Sequence, residues 1–104
     1  MIEIRTKDEF NDTIHNNDVV LIKFGAEWCG PCKTMHNVIE SLEKNIEGVT
    51  ICEADVEEIE DLTTELRIRN IPTTLIFKNG NIIERIVGAY SIEDLIKKIK
   101  THLQ

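Results

Sequence analysis

One hundred and four residues, 41% hydrophobic and 30% charged, suffice for one packed domain over 1–104 and are too few for two. Nineteen acidic residues against twelve Lys and Arg leave a net charge of −7, which repels phosphate backbones and anionic headgroups and argues against nucleic-acid and membrane partners. Three cysteines cannot close a disulfide framework, no apolar run reaches the ~20 residues of a membrane span, and Met1–Phe10 carries no apolar secretory core. The expectation is a cytoplasmic protein whose cysteines serve chemistry or metal binding.

Short strand-like runs alternate with helical periods along the whole chain. Ile2–Arg5 is a candidate strand. Thr6, with Glu9 three residues on, reads as a capping box opening a helix to about Asn16. Val19–Gly25 begins with four consecutive apolar residues, the pattern of a strand covered on both faces. From about Cys29 the spacing of Met35, Val38, Ile39, Leu42 and Ile46 predicts a helix that ends before Gly48, a residue suited to a left-handed C-terminal position. Val49–Val56 reads as a strand, and Ile59–Leu66 as a short helix led by acids that favour a positive N-terminus. After a loop at Arg67–Pro72, Thr73–Lys78 and Asn81–Val87 flank Asn79-Gly80, a two-residue hairpin signal. Ser91, with Asp94 three on, opens a last helix striped by Ile92, Leu95, Ile96, Ile99 and Leu103. The order β-α-β-α-β-α-β-β-α predicts an α/β fold with a mixed central sheet sandwiched by helices.

Trp28-Cys29-Gly30-Pro31-Cys32 falls where the central strand gives way to the second helix. A cysteine at a helix N-terminus faces unpaired N–H groups and the positive end of the dipole, which stabilise its thiolate. The thiolate is the nucleophile of disulfide exchange. Two intervening residues bring the second sulfur within bonding reach across one turn. Cys29 is thus the exposed attacking sulfur, and Cys32, deeper in the helix, the one that resolves the mixed disulfide. Pro31 is tolerated in a first turn whose N–H groups lack partners, and Gly30 keeps bulk away from an incoming partner.

These residues resemble the thioredoxin family, whose Cys-X-X-Cys thiol is itself a standard example of a depressed cysteine pKa. The likeness covers essentially the whole chain: Ala26 through Lys33 match the active-site segment, Ile71-Pro72-Thr73 the family's cis-proline segment, Phe77 through Gly80 its hairpin, and Val87-Gly88-Ala89 its glycine loop. The resemblance implies a protein-disulfide reductase cycling between dithiol and disulfide, with disulfide-containing clients and a thioredoxin reductase to regenerate it. It implies no cofactor beyond the Cys29–Cys32 disulfide and no metal, and a monomer is the default. Trp28, Ile71, Thr73, Gly88 and Ala89 would border the surface where an extended client segment docks by strand-like hydrogen bonds.

Three positions depart from the family pattern. Lys23 stands where a buried aspartate is usual, Gly25 where many members carry an aromatic, and Asn37 where a proline commonly kinks the helix. The first bears on proton transfer, the second removes apolar surface near the site, and the third predicts a straighter helix. Lys23 must snorkel to water, lose its proton or find a carboxylate. Glu53, on the following strand at the family's charged-partner position, is the candidate for a reversed pair that accepts the Cys32 proton.

Plainer readings compete. Cys29, Cys32 and His36 could be part of a zinc site, though no second Cys or His pair completes it. Cys52 reads as a small core residue, or alternatively as a regulatory thiol. The seven acids and no base of Glu53–Glu65 read as a solvated face. The whole chain could also be a redox-independent clamp subunit or a redox protein dedicated to one client.

Overall fold

The computed structural model describes residues 1–103, with nine elements in the expected order and a radius of gyration of 12.4 Å. The strands are β1 (Ile2–Ile4), β2 (Val19–Gly25), β3 (Thr50–Asp55), β4 (Thr73–Lys78) and β5 (Asn81–Val87). The helices are α1 (Lys7–Asn16), α2 (Gly30–Asn45), α3 (Glu60–Glu65) and α4 (Ile92–Leu103). Local chemistry accounts for the ends. The Thr6 hydroxyl accepts from the Glu9 N–H at 3.1 Å, while the Glu9 carboxylate reaches the Arg5 N–H at 3.4 Å instead of closing the box on Thr6. The Ser91 hydroxyl caps α4 through the Asp94 N–H. Gly48 has φ +83° but lies beyond the extended cap residue Ile46, in the turn leading to β3 rather than at the position next to the cap. α2 runs sixteen residues without interruption at Asn37.

The five strands form one mixed sheet in the order β1-β3-β2-β4-β5. β2 pairs parallel with β3 and antiparallel with β4; β1 adds to β3 in parallel and β5 closes the other edge antiparallel. Asn79 at φ 52° and Gly80 at φ 83° make the primed two-residue turn that matches the strands' own twist. The central strand β2 is buried at all seven positions, as its unbroken apolar start implies.

Helices cover both faces. Val20, Ile22 and Phe24 of β2 pack with α1 and α3 through residues such as Phe10 and Leu62. Val19 and Leu21 pack with α2 and α4 through Met35, Ile39, Leu95 and Ile99. Residues directly opposite one another in neighbouring strands point to the same face. One row across the sheet therefore places Glu3, Glu53, Lys23 and Thr74 side by side on the α2 face, with Ile86 at the far edge. That row lies at the end of the sheet where β2 delivers the chain into α2.

Candidate active site

Cys29 is the N-cap of α2 and Gly30 its first residue. The Cys32 N–H points at the Cys29 sulfur at 3.3 Å, so the first sulfur takes the place that a capping oxygen usually fills. The two sulfurs are bonded, with Cα atoms 5.2 Å apart. In this disulfide both residues are buried, Cys29 at 6% exposure and Cys32 at 2%. The expected order holds, but Cys29 is not the exposed sulfur anticipated: Ala26, Val56 and Ile71 pack around the pair. What opens to solvent is its surroundings, since Trp28 is 71% exposed and a side chain at Gly30 would meet no atom of the chain.

The Ile71–Pro72 peptide is cis, as the resemblance implies. The Gly88 N–H donates to the Pro72 carbonyl at 2.8 Å, tying the glycine loop to the proline segment. Ile71, half-buried, touches the disulfide cluster, and Ala89 is exposed. Thr73 follows the cis-proline and buries its side chain at 1% exposure, so what it offers an extended client segment is its backbone. Val87, directly opposite Thr73 on the edge strand β5 and 55% exposed, adds apolar surface beside it.

Behind the disulfide lies a cleft of about 470 Å³ whose wall includes Lys23, Cys32, His36 and Glu53. Lys23 does not snorkel. Its ammonium sits 3.1 Å from Glu53 Oε2 and 3.4 Å from the carbonyl oxygen of Cys32. The two strands place Lys23 and Glu53 in register, so the pair follows from β2–β3 pairing. His36 joins the same carboxylate oxygen, its Nδ1–H donating at 2.9 Å. Burial opposes charge on Glu53, but hydrogen bonds from His36 and Lys23 and their positive charge outweigh it and hold the carboxyl below its ordinary value.

Gly25 has a different consequence from the one expected. It is buried, and a methyl group built on it would lie 3.0 Å from Cys32 Sγ and 3.5 Å from Lys23 Nζ. The glycine leaves open a space bordered by both the Cys32 sulfur and the Lys23 ammonium. Two further groups were hidden from sequence reasoning. His36, read there as a conceivable zinc ligand, belongs to the Lys23–Glu53 pair, and the signal was its spacing of four from Cys32 on one helix. Glu57, one of the seven acids read as solvated, accepts from the Trp28 indole N–H at 2.9 Å. Cys52 is fully buried on β3, where burial pushes its thiol up to about 12, so it is no nucleophile at neutral pH. Among the described residues no group of three or more His, Cys, Asp and Glu is disposed to hold a metal ion.

A closed dithiol at a helix N-terminus, over a glycine-opened approach and beside a cis-proline, is the apparatus of a thiol–disulfide oxidoreductase. Comparison with known proteins narrows that class. The family model described as thioredoxin matches residues 1–101. A thioredoxin of Chlamydia trachomatis is 37% identical over 102 residues, covering 98% of this chain and 99% of that protein. Thioredoxin 2 of Chlorobaculum tepidum is 38% identical over 100 residues, 94% of this chain and 92% of its own. Among solved structures, a mutant thioredoxin from Halobacterium salinarum superposes with a TM-score of 0.94 at 30% identity, covering 99% of this chain and 90% of that one. Plasmodium falciparum thioredoxin gives 0.90 at 30% identity, over 97% of this chain and 98% of its own. The chain belongs to the thioredoxin family. It is a protein-disulfide reductase that exchanges its Cys29–Cys32 dithiol with client disulfides and is restored by a reductase partner.

Proposed function

We propose that Cys29 is the attacking sulfur and Cys32 the resolving one, that residues 1–104 act as one monomeric domain, and that a thioredoxin reductase regenerates the dithiol. The observation that carries the assignment is the N-cap position of Cys29, whose sulfur accepts the Cys32 N–H and so has a donor ready for its thiolate. The Cys29 thiolate bonds to one client sulfur and expels the other as a thiolate. Cys32 loses its proton and attacks Cys29 Sγ, breaking the mixed disulfide and releasing the client's second sulfur. Client and protein exchange two electrons, and no cofactor enters the step.

In this reading Trp28, Ile71, the backbone of Thr73, Val87, Gly88 and Ala89 border the client site, Pro72 holds its floor, and Glu53, drawn into place by Lys23, accepts the Cys32 proton through the cleft. The cytoplasm is the proposed location, since a dithiol works as a reductant only where the surrounding thiol pool is kept reduced. Cys32→Ser is expected to trap a client disulfide on Cys29, detected as a mass shift reversed by dithiothreitol. Trapping on Cys32 in a Cys29→Ser protein instead would reverse the assignment. A protein that fails to reduce insulin disulfides with dithiothreitol present would favour a clamp.

A further inference from the structure

Lys23 and His36 reach the same oxygen of Glu53 from opposite surroundings. Lys23 is buried on β2, 3.1 Å from Oε2; His36 is half-buried on α2, 2.9 Å from it. Cys32 and His36 lie one turn apart on that helix and line the same cleft as Glu53. The carboxylate thus has one partner sealed from water and one in contact with it. The charged groups facing His36 are Glu53 from β3, Lys23 behind it on β2, and Glu40 from α2, 3.8 Å from Nε2. Glu3 and Arg5, from the β1 side of the cleft, pair with each other. The cleft's other charged groups are carboxylates and a lysine, so a histidine is the one side-chain type there that titrates between pH 5 and 8.

We propose that His36 is a positioning residue that sets the basicity of Glu53 toward Cys32. With His36 neutral, Glu53 is held by one cation and by a neutral N–H donor, and it takes the proton that Cys32 releases on resolving the mixed disulfide. With His36 protonated, Glu53 is held by two cations on one oxygen and its affinity for that proton falls. The proton leaves Cys32 Sγ for the Glu53 carboxylate, and the freed thiolate displaces the client thiolate from Cys29. Resolution therefore slows as pH falls through the histidine range, beyond what the thiol ionisation alone imposes. The inference rests on Glu53 as the acceptor proposed above.

The test is a stopped-flow reaction of the reduced protein with 5,5′-dithiobis(2-nitrobenzoate). Attack by Cys29 releases one coloured thiolate, and resolution by Cys32 releases the second in a unimolecular phase. That phase is followed from pH 5.5 to 8 in the parent, His36→Asn and Glu53→Gln proteins. Asparagine keeps an N–H donor for Glu53 but cannot take a proton, so the variant should lose the histidine ionisation. It should then resolve about fivefold faster than the parent at pH 5.5, the effect of one half-screened charge, and match it at pH 8. Glu53→Gln should be slow throughout. A His36→Asn profile superimposable on the parent's, with Glu53→Gln slow, would overturn the role of His36 and leave the acceptor reading standing. Glu53→Gln at the parent rate would overturn the acceptor reading itself.

Discussion

The two faces of the sheet are built from the same strands and end differently. On the α1 face, β2 contributes Val20, Ile22 and Phe24, and its neighbours contribute Cys52, Ala54, Leu75 and Phe77; at the end of these rows Thr73, opposite Phe24, gives its hydroxyl to the Asn70 carbonyl. On the α2 face the same strand begins with Val19 and Leu21 and finishes with Lys23 and Gly25. The difference separates stability from chemistry. One face buries hydrocarbon and a single hydrogen-bonded hydroxyl but no charge, while the other gives up its last apolar layer to a charge and a space beneath the helix that carries the cysteines. That exchange costs packing, and it puts an ion pair and a cleft within reach of Cys32.

Phe24→Ala on the apolar face should have the largest effect, about 3–5 kcal/mol lost in a denaturant melt, because a fully buried aromatic leaves a cavity the sheet cannot close. Lys23→Met comes next. It keeps the volume but leaves Glu53 with His36 alone, and should cost about 3 kcal/mol near neutral pH, the low end for an ion pair broken while partly buried. The sign with pH follows from Glu53. Its folded pKa lies below the ordinary 4.5, so its stabilisation is full above that value and is lost as pH falls through the folded value. The gap between parent and Lys23→Met should therefore narrow on acidification, as read by melts at pH 7 and pH 3.

Gly25→Ala sharpens the contrast by filling the space. Its methyl would stand 3.0 Å from Cys32 Sγ and 3.1 Å from Cys32 Cβ, and the expected loss is about 1–2 kcal/mol in the thermal melt of the disulfide form. The smallest effect carries the opposite sign. Thr74, beside Lys23 on the polar row, buries its hydroxyl without a hydrogen-bond partner among the described residues. Thr74→Val should stabilise by about 1 kcal/mol, since it removes a desolvated polar group at nearly constant volume.

Much of the site was legible in the residues because its signals are local. Helix phase puts Cys29 at the cap and Cys32 one turn in, and the Asn79-Gly80 pair demands the positive φ angles that the hairpin shows. Lys23 was conspicuous as a charge in an apolar strand, and strand order pointed to Glu53. The third partner was not legible. His36 meets Glu53 through the packing of α2 over β3, a contact between residues seventeen apart whose approach no local pattern encodes. The exposure of Val87 was not legible for a related reason: which of two opposed strand residues faces solvent depends on what covers that end of the sheet.

By itself, then, the chain determined its element order, its turns, its redox pair and the presence of an unsatisfied buried cation, because each rests on backbone preference or hydrophobic period within a few residues. Only the tertiary structure decided where that cation goes, what else shares its carboxylate, and that Gly25 leaves a space bordered by both Cys32 and Lys23. Those outcomes depend on distances of about 3 Å between separate elements. Such distances are set by how the helices seat on the sheet, and packing of that kind is a property of the whole core rather than of any segment.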